Sequence, residues 1–386
     1  MLNGTVSRSD NRIYFLDHFR GIAILLVFGF HALGVSYGMD TLKWDGWFRD
    51  FNVPRSFLAL LPLTFGWSGV TIFFVISGFC IHLSHTRSTT KGFGTFFVRR
   101  FFRIYPPYLL ATVFFAFLFP WTRLQLHSAD ARGQLVSHLS LAHNLDVRTF
   151  AGINPSFWSI AVEAQLYLFY PLLLLLVKRF GWKGTLWITG IIEVALRGTR
   201  GVFDVLPTDP FPNLFPLSGP LFFWFSWAIG AKLADDWVYG TVPVFRRYRF
   251  WLWPTLAIGS FFIKPLFHFC FLFVALTSLQ TIVFLLSRPA IPLPVPQILL
   301  NHLRLVGLSS YSFYLLHQPL LGIVPWMVRK VFPGLHLHSY RIFLFCLVFY
   351  WPFLIFFYFF SRYVERNSNA LGKRIILTKQ EKFLGN

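Results

Sequence analysis

Phe19-Arg20-Gly21-Ile22-Ala23-Ile24-Leu25-Leu26-Val27-Phe28-Gly29-Phe30-His31-Ala32-Leu33-Gly34-Val35 decides the class of fold. An apolar helix of roughly 20 residues crosses the 30 Å hydrocarbon core of a bilayer. This run is long enough to do so, yet it carries an arginine and a histidine, which lipid penalises. Eleven helical steps of about 100° bring Arg20 and His31 within roughly 20° of one another on one face. Their axial separation is about 16 Å, so they share a face and cannot touch. Each has a plain alternative. Arg20 suits a snorkelling, topology-setting arginine, or a partner for Asp17 one turn earlier; His31 suits a hydrogen bond between helices.

The rest of the chain repeats the pattern. Of 386 residues, 55% are hydrophobic and 13% charged, against about 25% charged in soluble domains. Fifty phenylalanines exceed what one soluble core of this size can hide. The expectation is an all-α integral membrane protein with about ten transmembrane helices. The candidate spans fall near 19–38, 62–84, 102–120, 157–177, 184–200, 216–234, 250–263, 266–287, 305–327 and 341–361. If the seventh and eighth formed one re-entrant hairpin the count would fall to eight. With the N-terminus inside, 22 of the 35 Lys and Arg residues fall on the inner side and 12 outside, Arg20 belonging to the first span. That bias puts both termini in the cytoplasm. Residues 1–386 read as a single membrane domain, spanning about 14–363, with 364–386 a basic cytoplasmic tail.

The net charge of +20 does not point to nucleic acid, because basic residues cluster between apolar runs, where they meet anionic headgroups. Cys80, Cys270 and Cys346 are odd in number and widely spaced, which argues against a disulfide framework or zinc. His127, His138 and His143 sit in the longest expected outer loop, 121–156, too loosely spaced for a metal, so no metal site is expected. No small-residue cleavage site follows the first span, which is read as retained. No internal repeat is visible, unlike many secondary transporters.

Four further stretches place polar groups against apolar runs. Ile72-Phe73-Phe74-Val75-Ile76-Ser77-Gly78-Phe79 offers Ser77 and Gly78, small residues that also suit plain helix packing. Arg99-Arg100-Phe101-Phe102-Arg103 leads into Ile104-Tyr105-Pro106; Arg100 and Arg103 are neighbours on a helix face. Such guanidinium forks suit phosphate recognition, and suit positive-inside anchoring equally. Trp158-Ser159-Ile160-Ala161-Val162-Glu163-Ala164-Gln165 puts Glu163 at the outer end of a span, as an interfacial carboxylate or facing a cavity. Ser310, Tyr314 and His317 follow i, i+4, i+7 spacing and form one polar stripe, which interhelical hydrogen bonding also explains.

Together, in this order, the five stretches resemble membrane-bound acyltransferase family 3, whose members O-acylate bacterial surface polysaccharides and related acceptors. The resemblance runs from about Tyr14 to Tyr363. It is carried by Leu16-Asp17-His18-Phe19-Arg20-Gly21, the Arg20/His31 spacing, Phe73-Phe74-Val75-Ile76-Ser77-Gly78-Phe79, the basic run before Tyr105-Pro106, Trp158-Ser159-Ile160 with Val162-Glu163, and Tyr314-Leu315-Leu316-His317. Two positions depart from the family pattern. His18 stands where glycine is usual, and Ala164-Gln165 where a second glutamate and glutamine are common, which leaves Glu163 the only carboxylate there. The C-terminal esterase-like domain of some members is not seen.

The resemblance implies a bacterial inner-membrane, multi-pass enzyme that uses acyl-CoA, acetyl by default, as co-substrate without a bound cofactor. The acceptor is a hydroxyl of a sugar, glycolipid or polysaccharide. On that reading Arg99, Arg100 and Arg103 hold the donor phosphates and Arg20 lies at the donor's way in. His31 is the general base, or carries the acyl group itself. Glu163 and His317 orient the acceptor or the imidazole, and Tyr314, Ser77 or backbone near Gly78 supply oxyanion donors. Asp17, Trp158, Ser159 and Ser310 support the site. The competing reading is a transporter or flippase of a polyanionic or sugar-lipid substrate, and a third is a structural or sensor membrane protein.

Overall fold

A computed structural model describes residues 15–38, 60–88, 92–124, 129–203, 219–241, 250–287, 295–335 and 338–384. His127, the first residues of the sixth expected span, and Arg8, Arg12, Lys43, Arg49, Arg55, Lys91, Arg246, Arg247, Arg249 and Arg288 lie outside these. Among the described residues there are helices and no strands.

The first span is α1, Phe15–Tyr37. A 3-10 segment, Leu61–Ser68, leads into α2, Gly69–Thr86, and α3, Phe93–Val113, ends in a π-helical turn. After α4, Ala129–Leu139, comes α5, Trp158–Phe203, broken at Gly181. Then follow α6, Trp224–Tyr239, α7, Leu252–Phe261, and α8, Phe269–Ser287. The ninth expected span is three helices: α9, Gln297–Leu308, α10, Ser310–Gly322, and α11, Val324–Val331. The chain closes with α12, Ser339–Phe360, a π-helical turn over Ser361–Glu365, and α13, Arg366–Leu384. Among the described residues, six helices are long and apolar enough to cross a bilayer.

The break in α5 divides one long helix into two arms. Gly181 has φ 66°, a conformation that suits glycine. Trp158, at the start of the first arm, stacks near Phe223 (centroids 5.8 Å). Arg197, late in the second arm, donates to the Phe222 carbonyl. Arg197 also lies over the Phe223 ring at 5.3 Å, so both arms meet Phe223 and the chain doubles back at Gly181. Arg197 was expected in an outer segment. It is instead buried, paired with Glu193 one turn earlier at 2.9 Å and bonded to the His268 carbonyl. Its charge is spent inside the bundle and sets no topology.

Apolar side chains cover the outside as well as the core. Leu168, Leu172 and Leu175 form an exposed stripe on the first arm of α5, and Leu344, Val348, Trp351, Ile355 and Phe359 another on α12. Helical spacing turns each set to one face, where lipid rather than water is the natural solvent.

The outer loop corrects a second expectation. Rather than standing outside, it packs back between α3 and α5. The His138 and Leu139 carbonyls accept from Tyr108 and Tyr105, midway along α3. Gln165 exchanges hydrogen bonds with Asn144, at 3.0 and 2.7 Å, and donates to the Leu141 carbonyl. His138, His143 and Asn144 are fully buried. The two imidazoles stack with planes 6° apart, and parallel rings cannot aim both lone pairs at one ion.

Helices approach most closely where glycines meet. A Cβ on Gly78 would lie 2.0 Å from the Trp227 carbonyl oxygen, and one on Gly230 2.0 Å from that of Val75. These two residues weld α2 to α6, so Gly78 has a packing role and faces away from the cavity described below. Gly21 and Gly307 weld α1 to α9 in the same way, against the backbones of Leu303 and Asp17.

Candidate active site

The helices line a cavity that is partly open. Arg20, Arg100 and Arg103 line one end, Ser77, Cys80, Glu163 and Tyr167 the middle, and Ser159, Ser310, Tyr311 and Tyr314 the remaining polar wall.

Local contacts hold the cations. Arg20 pairs with Asp17 at 3.1 Å and donates to Cys80 Sγ at 3.1 Å. Arg100 donates to Ser84 Oγ at 3.1 Å and lies against the rings of Phe96 and Tyr167. Arg103 sits over the Tyr311 ring and pairs with Glu365. Arg99, expected beside them, turns instead to Ser88 at 3.2 Å and does not line the cavity. At about 100° per residue Arg99 and Arg100 flank Arg103 on opposite sides, and it is the Arg100 side that faces the cavity.

Glu163 faces the cavity. It accepts from Ser77 Oγ at 2.8 Å and from Tyr167 Oη at 2.5 Å, and Trp227 Nε1 donates to Ser77 Oγ at 3.3 Å. Ser159 Oγ donates to Tyr314 Oη at 2.7 Å. Trp158 packs between Phe150 and Phe223 and takes no part in the lining. The start of α5 is fixed by Asn154, whose side chain caps Ser156 N at 3.0 Å while donating to the Leu315 carbonyl at 2.9 Å. That link registers Ser159 against Tyr314.

One turn beyond Tyr314, His317 Nε2 lies 2.9 Å from His31 Nδ1. His317 Nδ1 is 3.0 Å from the Tyr314 carbonyl. A carbonyl only accepts, so Nδ1 of His317 carries the proton. In the neutral pair its Nε2 accepts from His31 Nδ1–H, which leaves the lone pair of His31 on Nε2. The sequence placed both residues in spans; it did not show that they meet.

Glu365 was also missed. Its carboxylate is buried and accepts from Arg103, from Ser312 Oγ at 2.9 Å and from Ser361 Oγ at 3.1 Å. It falls in what reads as a basic tail, where a single acid gives hydropathy no signal; only the Ser361/Glu365 spacing of one turn hints at it.

These features define a multi-pass membrane protein with a polar cavity inside its helical bundle. The chain belongs to acyltransferase family 3: that family's acyltransferase domain matches residues 13–361. Acyltransferase MdmB of Streptomyces mycarofaciens is 27% identical over 188 residues, 48% of this chain and 45% of that protein. Nodulation protein 10 of Rhizobium leguminosarum bv. viciae is 28% identical over 206 residues, 47% of this chain and 52% of that protein. The chain thus spans about half the length of the curated relatives it matches. No solved structure matches it.

Proposed function

We propose that this protein is a membrane-bound O-acyltransferase of the bacterial inner membrane, with both termini in the cytoplasm. It takes an acyl group, acetyl by default, from cytoplasmic acyl-CoA to a hydroxyl of a sugar, glycolipid or polysaccharide. The observation that carries this reading is the order of groups across the bundle. Arginines at one end lead past Glu163 and Ser77 to Ser159 and Tyr314, with the His31–His317 pair one turn further on.

Arg100 and Arg103 take the donor's phosphates and Arg20 the adjoining part of the pantetheine arm. The thioester then reaches the level of Ser159 and Tyr314; Ser159 donates to Tyr314 Oη, and the Tyr314 hydroxyl donates to the developing oxyanion. His31 Nε2 removes the proton of the acceptor hydroxyl. The oxygen attacks the thioester carbon, the C–S bond breaks, and the CoA thiolate takes the proton back from His31. His317 holds His31 in the required tautomer. Glu163, fixed by Ser77 and Tyr167, orients the acceptor or the donor arm.

The test is His31→Ala in purified protein, read as acyl-CoA turnover at matched membrane abundance. The expected loss is about 10²–10⁴-fold; full activity would overturn the role of His31. A transporter using the same buried charges would be indifferent to the thioester, so equal binding of polyanions without acyl-CoA turnover in the unaltered protein favours that reading instead.

A further inference from the structure

The cavity has an apolar end as well as a basic one. Val70, Phe73 and Phe74 of α2 and Ile160 of α5 form it. Val70, Phe73, Ser77 and Cys80 share one face of α2, so the helix passes from carbon lining to polar lining within about 10 Å between Phe73 and Cys80. The apolar end lies beside the two hydroxyls placed at the thioester. Phe73 meets the Tyr314 ring edge-on at 6.2 Å, and Ile160 follows Ser159 in the chain.

This end is blind. Phe74 packs on Phe223 at 4.7 Å, and Phe223 in turn on Trp158 and Phe271 at 5.8 and 5.7 Å. Val70, Phe74 and Ile160 are buried, whereas Phe73 is half-buried, its ring standing beside Tyr314 on the cavity wall. Phosphates, sugars and water gain nothing from such a lining, since polar groups lose hydrogen bonds there. A short aliphatic chain loses nothing and buries its surface.

We propose that Val70, Phe73, Phe74 and Ile160 form the acyl-chain pocket, that Phe73 sets the chain length accepted, and that the protein therefore uses short-chain acyl groups. This rests on the acyl-CoA reading above. The polar end holds the constant part of the donor and the carbon end its variable part, so selectivity resides in residues that make no polar contact. One methylene too many in a closed apolar pocket costs roughly 10- to 200-fold.

The experiment measures protection of Cys80 from N-ethylmaleimide by acetyl-, butyryl-, hexanoyl- and octanoyl-CoA, using the full-length protein in detergent. Cys80 lines the cavity, while Cys270 and Cys346 are buried. In the unaltered protein acetyl- and butyryl-CoA are expected to protect at concentrations at least tenfold below hexanoyl- and octanoyl-CoA. Phe73→Ala should shift the hexanoyl-to-acetyl ratio at least tenfold towards hexanoyl, and Phe73→Leu, the milder change, in the same direction. If either variant is still protected by acetyl-CoA and keeps the original chain-length order, the pocket assignment is wrong. If no CoA thioester protects Cys80 in the unaltered protein, the donor reading falls and takes the pocket with it.

Discussion

Glu365 accepts a hydrogen bond from Arg103 although 262 residues separate them. The carboxylate, on the π-helical turn between α12 and α13, is 3% exposed, whereas the Arg103 side chain is 40% exposed. A buried acid thus fixes one edge of a guanidinium whose other edge is open. Glu365→Gln keeps the shape and removes the charge. Its expected effect is a rise of about tenfold in the KM for acyl-CoA, about 1.4 kcal/mol, with kcat changed far less. An unchanged KM would remove Glu365 from any part in donor binding.

The histidine pair separates chemistry from binding. His317→Phe removes the acceptor for His31 Nδ1–H and should lower acyl-CoA turnover roughly 10²–10³-fold, with CoA binding intact. His317→Gln offers a carbonyl oxygen in place of the ring nitrogen and should recover at least tenfold of that loss. Rates for His317→Phe equal to the unaltered protein would show that the contact is structural.

Cys80 reports on the cavity directly. Its Sγ accepts from Arg20 at 3.1 Å, and its side chain lines the cavity. Mass spectrometry after brief N-ethylmaleimide treatment should find the label on Cys80 and not on Cys270 or Cys346. Free CoA should slow that labelling, and Arg100→Ala with Arg103→Ala should abolish the slowing. Labelling unaffected by CoA would place the donor elsewhere.

The loop folded between α3 and α5 depends on a reciprocal amide pair. Gln165→Leu removes both hydrogen bonds to buried Asn144 and the one to the Leu141 carbonyl. A loss of about 1–3 kcal/mol follows, seen as lower thermal stability in detergent and faster proteolysis within 129–157. Unchanged stability and proteolysis would mean that this segment is held by other contacts.

The all-helical membrane class was legible because lipid imposes one demand, length with low polarity, that sequence records locally; the count of ten was not, since among the described residues six helices meet that demand. Arg20, Glu163, Ser159 and Tyr314 were legible for the converse reason: each is a polar group inside an apolar run, and each lies on the cavity. The pairing of His31 with His317 was not, since it spans 286 residues and depends on how two helices rotate. Gly78 and Trp158 looked like site residues because they adjoin Ser77 and Ser159; one helical step of about 100° turns them to other faces. The 121–156 segment misled because its polarity matches an exposed loop, while hydrogen bonds from Tyr105, Tyr108 and Gln165 tie its described residues into the bundle.

Gly21 and Gly78 each follow a cavity residue, Arg20 and Ser77, and each pins its helix to a neighbour by main-chain contact. The working side chains are therefore located by backbone against backbone. The outward faces of α5 and α12 have no share in that placement, so their residues answer only to the surrounding bilayer. Such a bundle can be re-lettered on its greasy exterior to suit a thicker or thinner membrane while its interior coordinates stay where they are.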